Sequence, residues 1–466
     1  MEAKNIPDKS RRRFLRNLGI AAAAVTVSAC GGKKLTETSD TAKKREMTYR
    51  INPNTGDKVS LLGYGCMRFP TMGMKNGDES DQTLDQEAIN KSVDYALEHG
   101  VNYFDTSPAY CRGFSEAALG EALSRHDRSD YYIATKLSNF APETWSHEAS
   151  VQMFENSLKY LRTDYVDYLL LHAIGMGGME NLNGRYIDNG ILDYLLEQKA
   201  AGKIRNLGFS YHGDVEVFDH LLKLQDESKI HWDFVQIQLN YIDWLHAKEV
   251  NERNTNAEYL YGELSRRGIP AVIMEPLLGG RLANMPEPVV RRMKEMRPDD
   301  SVASWAFRYA GTPDGVLTVL SGMTYMDHLR DNLKTFSPIE PVDTEEDIFL
   351  QTVANEFLAN DLVPCTDCKY CMPCPYGVNI PGVFGHYNAC LLNGDAPSDS
   401  QDPDFQAARR RYLFGLDMEI PRLRQADMCI ACGKCLLHCP QRIPIPDQMA
   451  KIAKYTETLK SYSDMS

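Results

Sequence analysis

The sequence predicts an α/β protein in which a (β/α)8 barrel is followed by a smaller, mainly α-helical domain. From residue 48 to 340, short β-branched or aromatic runs alternate with helical patterns, which is typical of parallel strands joined by helical crossovers. After residue 364, eight of the twelve cysteines fall in two tight groups. The 466 residues are 43% hydrophobic and 25% charged, as in ordinary globular proteins of one large barrel plus appendages.

The charge balance argues against one class of partner. Residues 1–29 contain six basic and two acidic residues, so the rest of the chain carries a formal −17 rather than the overall −13. A surface this acidic repels phosphate backbones, and we expect no nucleic-acid partner. No apolar run reaches the roughly 20 residues that a membrane-spanning helix needs, which excludes a polytopic membrane protein.

The amino terminus predicts an export signal over residues 1–29. Basic residues at 11–16 precede an apolar run at 18–29, which is too short to span a bilayer but suits the core of a signal peptide. This order resembles a twin-arginine (Tat) signal, and the residues ending at Cys30 (VSAC) resemble a lipobox. The resemblance implies a lipoprotein anchored to the membrane through lipidated Cys30, on the periplasmic or outer face. The alternative to an export signal is a basic amphipathic or disordered tail. Residues 30–47 would be a flexible tether.

One hairpin and eight strand–helix units account for residues 48–340. Tyr49–Asn52 and Lys58–Leu62 flank a turn and predict the hairpin. The eight predicted strands are Leu62–Cys66, Asn102–Asp105, Tyr131–Lys136, Tyr165–His172, Arg205–Ser210, Phe234–Leu239, Ala271–Glu275 and Val316–Ser321. Eight units in about 290 residues fit a TIM barrel. An open doubly wound sheet is the competitor, but no G-x-G-x-x-G follows a strand.

Four polar residues stand at or just after consecutive strand ends, where such barrels carry their chemistry. Asp105 ends the second strand, Tyr110 follows it, Lys136 ends the third and His172 ends the fourth. A tyrosine is a weak acid, with a pKa near 10. We expect the Lys136 ammonium, held by Asp105, to make Tyr110 more acidic, so that it protonates a carbonyl oxygen while hydride reaches the carbon. His172 would orient the substrate.

The barrel region resembles the aldo/keto reductase family. The matching stretches are LLGYGCMRFP (61–70), NYFDTSPAYCRGFSEAALG (102–120), YYIATKLS (131–138), YVDYLLLHA (165–173), IRNLGFSYHG (204–213), MEPLLGGRL (274–282) and VLSGMTYMDHLRDNL (319–333). The resemblance places Asp105, Tyr110, Lys136 and His172 at the family's catalytic positions. It implies NAD(P) as the cofactor and a small carbonyl or alcohol substrate, a sugar being one candidate.

The same resemblance implies where the cofactor binds. Ser210 and Gln236 would meet the nicotinamide carboxamide, and the stretch from Gly322 to Asn332 would meet the adenine phosphate end. The full set of implied cofactor contacts is Cys66, Met67, Ser210, Gln236, Met274, Pro276, Leu277, Gly279, Gly322, Thr324, His328 and Asn332.

The region from 341 to 466 predicts a linker helix at Asp343–Leu358, followed by an iron–sulfur domain. The cysteine runs are Cys365, Cys368, Cys371 and Cys374 before Pro375, and Cys429, Cys432, Cys435 and Cys439 before Pro440. The second run has the bacterial ferredoxin spacing, and the first is one residue shorter before its last cysteine. Disulfides and four-cysteine zinc sites are the alternatives, but neither needs three consecutive C-x2 steps ending in C-P.

The tail resembles the two-cluster [4Fe–4S] ferredoxin-like module that is appended to a subset of aldo/keto reductases. In two-cluster ferredoxins the fourth cysteine of each run ligates the other cluster. The resemblance therefore implies one set of Cys365, Cys368, Cys371 and Cys439 and another of Cys429, Cys432, Cys435 and Cys374. Besides Cys30, this leaves Cys66, Cys111 and Cys390; the odd number means that at least one is a free thiol or pairs outside the chain.

The leading hypothesis is an exported oxidoreductase with hydride chemistry in the barrel. Electrons would pass through two clusters to an electron-transfer protein or a quinone-linked partner. Nicotinamide moves two electrons as hydride, whereas a [4Fe–4S] cluster accepts one at a time, so two alternatives stay open. The protein would be a redox-neutral enzyme with tightly bound NAD(P) and structural clusters, or a non-enzymatic electron-transfer subunit whose barrel is a scaffold.

Overall fold

The computed structural model describes residues 46–73, 83–439 and 441–462. The predicted export signal, Cys30 and almost all of the predicted tether lie outside these residues. Over the described ranges, no helix is long and apolar enough to cross a membrane.

Eight parallel strands close into a barrel, as predicted. Following a hairpin of β1 (Tyr49–Ile51) and β2 (Lys58–Ser60), they are β3 (Leu62–Gly65), β4 (Tyr103–Asp105), β5 (Tyr132–Leu137), β6 (Val166–Ile174), β7 (Ile204–Tyr211), β8 (Phe234–Gln238), β9 (Ala271–Met274) and β10 (Val316–Ser321). Each strand pairs with the next in sequence, and β10 closes the ring on β3 with Val319 opposite Leu62. Every boundary lies within two residues of its prediction, because short apolar runs between turn residues mark buried parallel strands well.

The predicted hairpin is also confirmed. β1 (Tyr49–Ile51) and β2 (Lys58–Ser60) pair antiparallel, with Tyr49 opposite Ser60. Val59 of β2 packs with apolar residues of the barrel interior, including Tyr168. Asn52 donates a hydrogen bond to the Tyr168 hydroxyl at 3.1 Å. The hairpin therefore closes the barrel at the end opposite to the carboxyl ends of the strands.

Helices cover the outside of the barrel. They are α1 (Gln86–Glu98), α2 (Ser115–Leu123), α3 (His147–Tyr160), α4 (Gly178–Leu182), α5 (Ile191–Ala200), α6 (Val215–Asp226), α7 (Asp243–Val250), α8 (Ala257–Arg266), α9 (Glu287–Met296), α10 (Val302–Gly311) and α11 (Met326–Phe336). The local signals in α1 are clear: the Asp85 side chain caps it by accepting from the Ala88 N–H at 3.0 Å, and Gly100 follows its end with φ of +89°. The buried faces of these helices and the outer strand faces share one large apolar core.

The predicted linker helix packs on the barrel. Helix α12 (Thr344–Leu358) starts with a capping box formed by Asp343 and Glu346. Both oxygens of Glu346 accept hydrogen bonds from buried Arg308 of α10, at 3.0 and 2.7 Å. Phe357 joins the apolar core of the barrel. The helix therefore extends the barrel, and the cysteine-rich region starts from a fixed position.

The carboxyl-terminal region is mainly helical, as predicted. Its helices are α13 (Ile380–Asn393), α14 (Phe405–Glu419) and α15 (Ile445–Ser461). They share a separate apolar core that includes Phe384, Tyr412 and Met449. The first cysteine run precedes α13 and the second lies between α14 and α15, so each run is a loop placed by flanking helices.

Candidate active site

A cleft of about 1840 Å³ opens at the carboxyl ends of the barrel strands. Asp105, His172 and Gln236 belong to its barrel wall, although they come from three different strands. Because all eight strands are parallel, their ends meet at one rim. Cys368 and Tyr370 of the first cysteine loop line the same cleft. The cleft therefore lies between the barrel and the carboxyl-terminal domain.

A buried ion pair lies below the cleft. The Lys136 ammonium of β5 donates to a carboxylate oxygen of Asp105 at 2.6 Å and to the carbonyl oxygen of Thr106 at 2.8 Å. Burial lowers the pKa of Lys136 and raises that of Asp105, and each charge opposes the effect on the other. The direct contact between opposite charges favours the ionised pair. Its position and orientation are therefore fixed from two neighbouring strands.

Tyr110 stands in the short helical turn after β4, with its ring centre 4.8 Å from the Lys136 nitrogen. Burial raises the pKa of Tyr110 well above its ordinary value, and the negative charge of Asp105 adds to this effect. The expectation of a more acidic phenol is therefore wrong for the resting site. The phenol keeps its proton at neutral pH, which is the form that a proton donor needs.

His172 completes the group. Its ring centre lies 6.0 Å from that of Tyr110, and the two rings meet edge to face. Its Nδ1 lies 2.6 Å from the Ser138 hydroxyl, and the Phe140 ring packs beside it at 4.8 Å. Burial, followed by the charge of Lys136, holds the pKa of His172 well below its usual range, so the ring is neutral. Since Ser138 engages Nδ1, Nε2 is the nitrogen left to face a ligand.

Most of the implied cofactor contacts lie on the cleft. Those that line it are Met67, Gln236, Met274, Pro276, Leu277, Gly279, Gly322, Thr324, His328 and Asn332. Cys66 and Ser210 are not part of the cleft lining, and their contacts with the cofactor stay predictions. Cys66 is fully buried in the core between strands and helices. The Ser210 hydroxyl accepts a hydrogen bond from the backbone N–H of Ala173 at 2.8 Å, within the paired strands β6 and β7.

The cleft fits a nicotinamide cofactor. The side-chain oxygen of Gln236 is buried and, among the described residues, meets no hydrogen-bond donor; its nitrogen lies 3.3 Å from the Met274 sulfur. A buried acceptor without a donor is unfavourable, and the N–H of a carboxamide would satisfy it. Gly279 and Gly280, after β9, have φ of +70° and +97°, backbone conformations that favour glycine, and both line the cleft.

The eight cysteines of the tail fit two four-thiolate sets. All are free thiols. Cys371 lies within electrostatic reach of Cys365, Cys368 and Cys439, and Cys435 within reach of Cys374, Cys429 and Cys432, which is the crossed grouping implied by the sequence. No group of three or more Cys, His, Asp or Glu residues within the described ranges has the arrangement of a single-ion site. A cubane spreads its ligands over several iron atoms, whereas one zinc ion gathers its ligands about 2.3 Å from one centre.

The surroundings of the first set keep its thiols protonated until a metal displaces the proton. Burial raises the pKa of Cys365 to about 11 and that of Cys368 to about 12. The backbone N–H of Asp367 donates to the Cys365 sulfur at 3.4 Å, a bond that also suits a metal-bound thiolate. The two sets differ in access, because Cys439 of the first is buried and Cys432 of the second is exposed.

The first cysteine loop is fastened to the barrel. Arg68, three residues after β3, donates to the Asp367 carboxylate at 3.0 Å and to the Thr366 carbonyl oxygen at 2.5 Å. Thr366 is buried against Gly279, where an added Cβ would lie only 2.4 Å from the Thr366 Cα. A second contact joins the two domains after the second cysteine run: the side chain of Asn251, just after α7 of the barrel, donates to the carbonyl oxygen of Gln441 at 2.7 Å.

Sequence reasoning missed several residues of the site. Arg68, Ser138 and Phe140 follow strands by one to three residues, so an inspection of residues just beyond each strand end could have found them. Tyr370 could not be found in this way, because it reaches the barrel only through packing between the two domains.

The three remaining described cysteines form no disulfide. Cys111 lines the cleft and donates to the Met67 carbonyl oxygen, with the two atoms 3.5 Å apart. Cys390 lies 3.5 Å from Nε2 of His386, in the core of the carboxyl-terminal domain. Burial raises the pKa of Cys66, Cys111 and Cys390, so all three are weakly reactive thiols.

Comparisons with known proteins agree with this geometry. A model described as the aldo/keto reductase family matches residues 62–346, and one described as a 4Fe-4S dicluster domain matches residues 364–443. The chain is 25% identical over 317 residues to L-galactose dehydrogenase of Arabidopsis thaliana, covering 65% of this chain and 92% of that protein. It is 28% identical over 297 residues to the uncharacterized oxidoreductase YqkF of Bacillus subtilis, covering 59% and 87%. The solved holo structure of aldo-keto reductase AKR11C1 from Bacillus halodurans shares the barrel fold, with a TM-score of 0.51, 24% identity and coverage of 66% and 96%.

Beside the Lys136 pair, Glu116 generates a testable pH dependence. Burial raises its pKa from 4.5 to about 7, and the Thr135 hydroxyl donates to it at 2.5 Å. The folded protein keeps this proton to about pH 7, while the unfolded chain loses it near 4.5. The group therefore lowers the free energy of unfolding as pH rises through that window, by about 3 kcal/mol in all. We expect Glu116→Gln to gain stability over the native chain as pH rises from 5 to 8, measured by denaturant unfolding. Exposed Glu155→Gln should show no such gain, and parallel curves for Glu116→Gln and the native chain would contradict the assignment.

Proposed function

The chain belongs to the aldo/keto reductase family and is an NAD(P)-dependent oxidoreductase of that type; from this premise we propose that it interconverts a sugar-class carbonyl and the corresponding alcohol while two [4Fe–4S] clusters carry electrons. One observation carries the proposal. Tyr110 and His172 of the barrel line the same cleft as Cys368 and Cys439 of the first thiol set.

The barrel residues assemble a proton donor for a carbonyl oxygen. A bound nicotinamide would supply hydride to the substrate carbon or accept it. Tyr110 holds its proton in the resting site and passes it to the oxygen as negative charge develops there. The Lys136 ammonium then stabilises the phenolate that remains, from a position fixed by Asp105. Neutral His172 offers Nε2 to the same oxygen and sets the direction of approach.

The part of the cleft lined by Phe114 and Phe140 suits a polyhydroxylated ring, such as that of a sugar. Phe114 is exposed in the cleft and Phe140 is partly exposed, so their faces are available to the C–H surface of a sugar. Asn181 also lines the cleft, and its side-chain amide can bind hydroxyl groups. The similarity to a protein named L-galactose dehydrogenase supports this substrate class.

The positions of the two thiol sets support electron transfer between the cleft and the outside. Bound clusters would accept and release single electrons. Cys368 and Cys439 of the first set line the cleft. In the second set, Cys432 is exposed to solvent. An electron-transfer protein or a quinone-linked partner would therefore meet the second set. A barrel that served only as a scaffold would not need the buried Lys136–Asp105 pair beside Tyr110.

Replacing the proton donor tests the chemistry. We expect Tyr110→Phe to lower kcat on a panel of aldoses, with NADH or NADPH, by a factor of about 100 to 10,000, because the ring remains and only the proton-donating hydroxyl is lost. Cofactor affinity should change little, as measured by quenching of protein fluorescence. Tyr160→Phe, an exposed tyrosine on α3, is the matched control. Full activity in Tyr110→Phe would remove the proposed role.

Paired cysteine substitutions test how many clusters the protein binds and whether the fourth cysteine of each run ligates the other cluster. The native protein should contain about eight iron atoms per chain. Cys368→Ser with Cys439→Ser removes two ligands of one set, and we expect about half of the iron to remain. Cys368→Ser with Cys374→Ser affects both sets, and we expect both clusters to be lost. Iron analysis and electron paramagnetic resonance after anaerobic purification measure this. The reverse outcome would show that each run ligates its own cluster.

We also propose export and lipid anchoring, from the pattern of residues 1–30. Intact mass of the protein extracted from its host's membranes should correspond to a chain starting at an acylated Cys30. Cys30→Ser should leave the protein without this modification and shift it out of the membrane fraction, whereas Cys390→Ser should not. A native chain that retains residues 1–29 at full occupancy would contradict the proposal.

A further inference from the structure

The first cysteine loop crosses the groove that the nicotinamide cofactor would occupy. Thr366 and Asp367, which we call the strap, stand between the thiols of Cys365 and Cys368. On one side of the groove, Thr366 is packed on Gly279 of the loop after β9. On the other side, the aliphatic part of the Arg68 side chain lies over Gly322. A Cβ added at Gly322 would be 3.1 Å from the Arg68 Cδ. Gly279 and Gly322 are both implied cofactor contacts, and both line the cleft.

Arg68 connects the Gly322 side of the groove to the strap, which packs on the Gly279 side. Its guanidinium holds the strap at two points, the Asp367 carboxylate and the Thr366 carbonyl oxygen. A two-point bond to a planar guanidinium fixes direction as well as distance. Asp367 also has φ of +50°, an unusual conformation for a residue with a side chain, which surrounding contacts must maintain.

We propose that the cofactor site is shared by the two domains, with Arg68, Thr366 and Asp367 as its outer wall, so that an intact first cluster and the Arg68–strap contact together retain the bound nucleotide between turnovers. This inference rests on the proposed function, since it requires a nicotinamide cofactor and a cluster on Cys365 and Cys368. The Arg68 charge beside the groove also suits the pyrophosphate of a dinucleotide. None of the three is a proton donor; each acts on cofactor binding.

The test measures how fast the nucleotide leaves the full-length, anaerobically purified protein. The protein is loaded with NADH or NADPH and mixed with an excess of the oxidised nucleotide, and the loss of bound-nucleotide fluorescence gives the release rate. We expect release to be about tenfold faster in Arg68→Ala, which removes the donor of the charge-assisted hydrogen bonds to the strap, and in Asp367→Asn, which removes the negative charge that accepts one of them. Arg292→Ala is the matched control: Arg292 forms a two-point pair with Glu356 on the surface, away from the groove. Its release rate should equal that of the native protein.

Cluster removal gives the second arm. Treatment with ferricyanide and a chelator should raise the rate of nucleotide release from the native protein. The same treatment should raise the rate little further in Arg68→Ala, because that variant has already lost the contact between Arg68 and the strap. The resonance spectrum of the reduced clusters before treatment should be the same in all variants. If Arg68→Ala does not fold, Gly279→Ala against Gly268→Ala, a glycine outside the cleft, replaces it. Both positions have positive φ, but only a Cβ at Gly279 meets the strap.

The outcomes separate the inference from the proposed function. Equal release rates in the native protein, Arg68→Ala and Asp367→Asn, with intact clusters, would overturn the inference alone. Unchanged release from native protein after cluster removal would do the same. Failure of the native protein to bind either nucleotide would overturn both.

Discussion

Lys136 and Asp105 bring opposite charges into contact where both side chains are shielded from water, and the rest of the site is arranged around them. They belong to neighbouring strands β5 and β4, whose register sets Asp105 opposite Ala134, two residues before Lys136. A slip of one residue between these strands would turn one of the pair away from the barrel interior. A buried ion pair is seldom more stabilising than apolar packing of the same volume. The pair therefore agrees with the proposed role of Lys136 beside Tyr110, and correct closure of the barrel is the condition for their contact.

The carboxyl-terminal domain changes what this barrel can do. Its first cysteine loop supplies Tyr370 and Cys368 to the cleft, and α12 holds the domain at a fixed place through Glu346 and Arg308. Hydride chemistry and single-electron chemistry thus meet at one cavity. A nucleotide that stays bound through many turnovers would not depend on a surrounding pool, which is also what a redox-neutral enzyme would require. The arrangement therefore suits both electron transfer and redox-neutral interconversion, and the oxidation state of the first cluster during turnover distinguishes them.

Much of this architecture could be predicted from the sequence because its signals are local. Buried strands show as short apolar runs, and Asp105, Lys136 and His172 were found by their position at strand ends. The resting pKa of Tyr110 could not be predicted, because it depends on burial by several elements at once. The Arg68–Asp367 contact joins residues 299 positions apart and arises only from domain packing. Resemblance to a family names Cys66 and Ser210 as cofactor contacts, but whether a residue lines the cleft is decided by the packing of several elements, and these two do not line it.

The hairpin of β1 and β2 closes the end of the barrel opposite to the carboxyl ends of the strands. This affects how a cofactor or a substrate can reach the site. With that end filled by Val59 and its neighbours, the described residues give access to Tyr110 from the cleft at the carboxyl ends of the strands. The carboxyl-terminal domain lines the same cleft, so the packing of the two domains also shapes the approach to the reactive phenol.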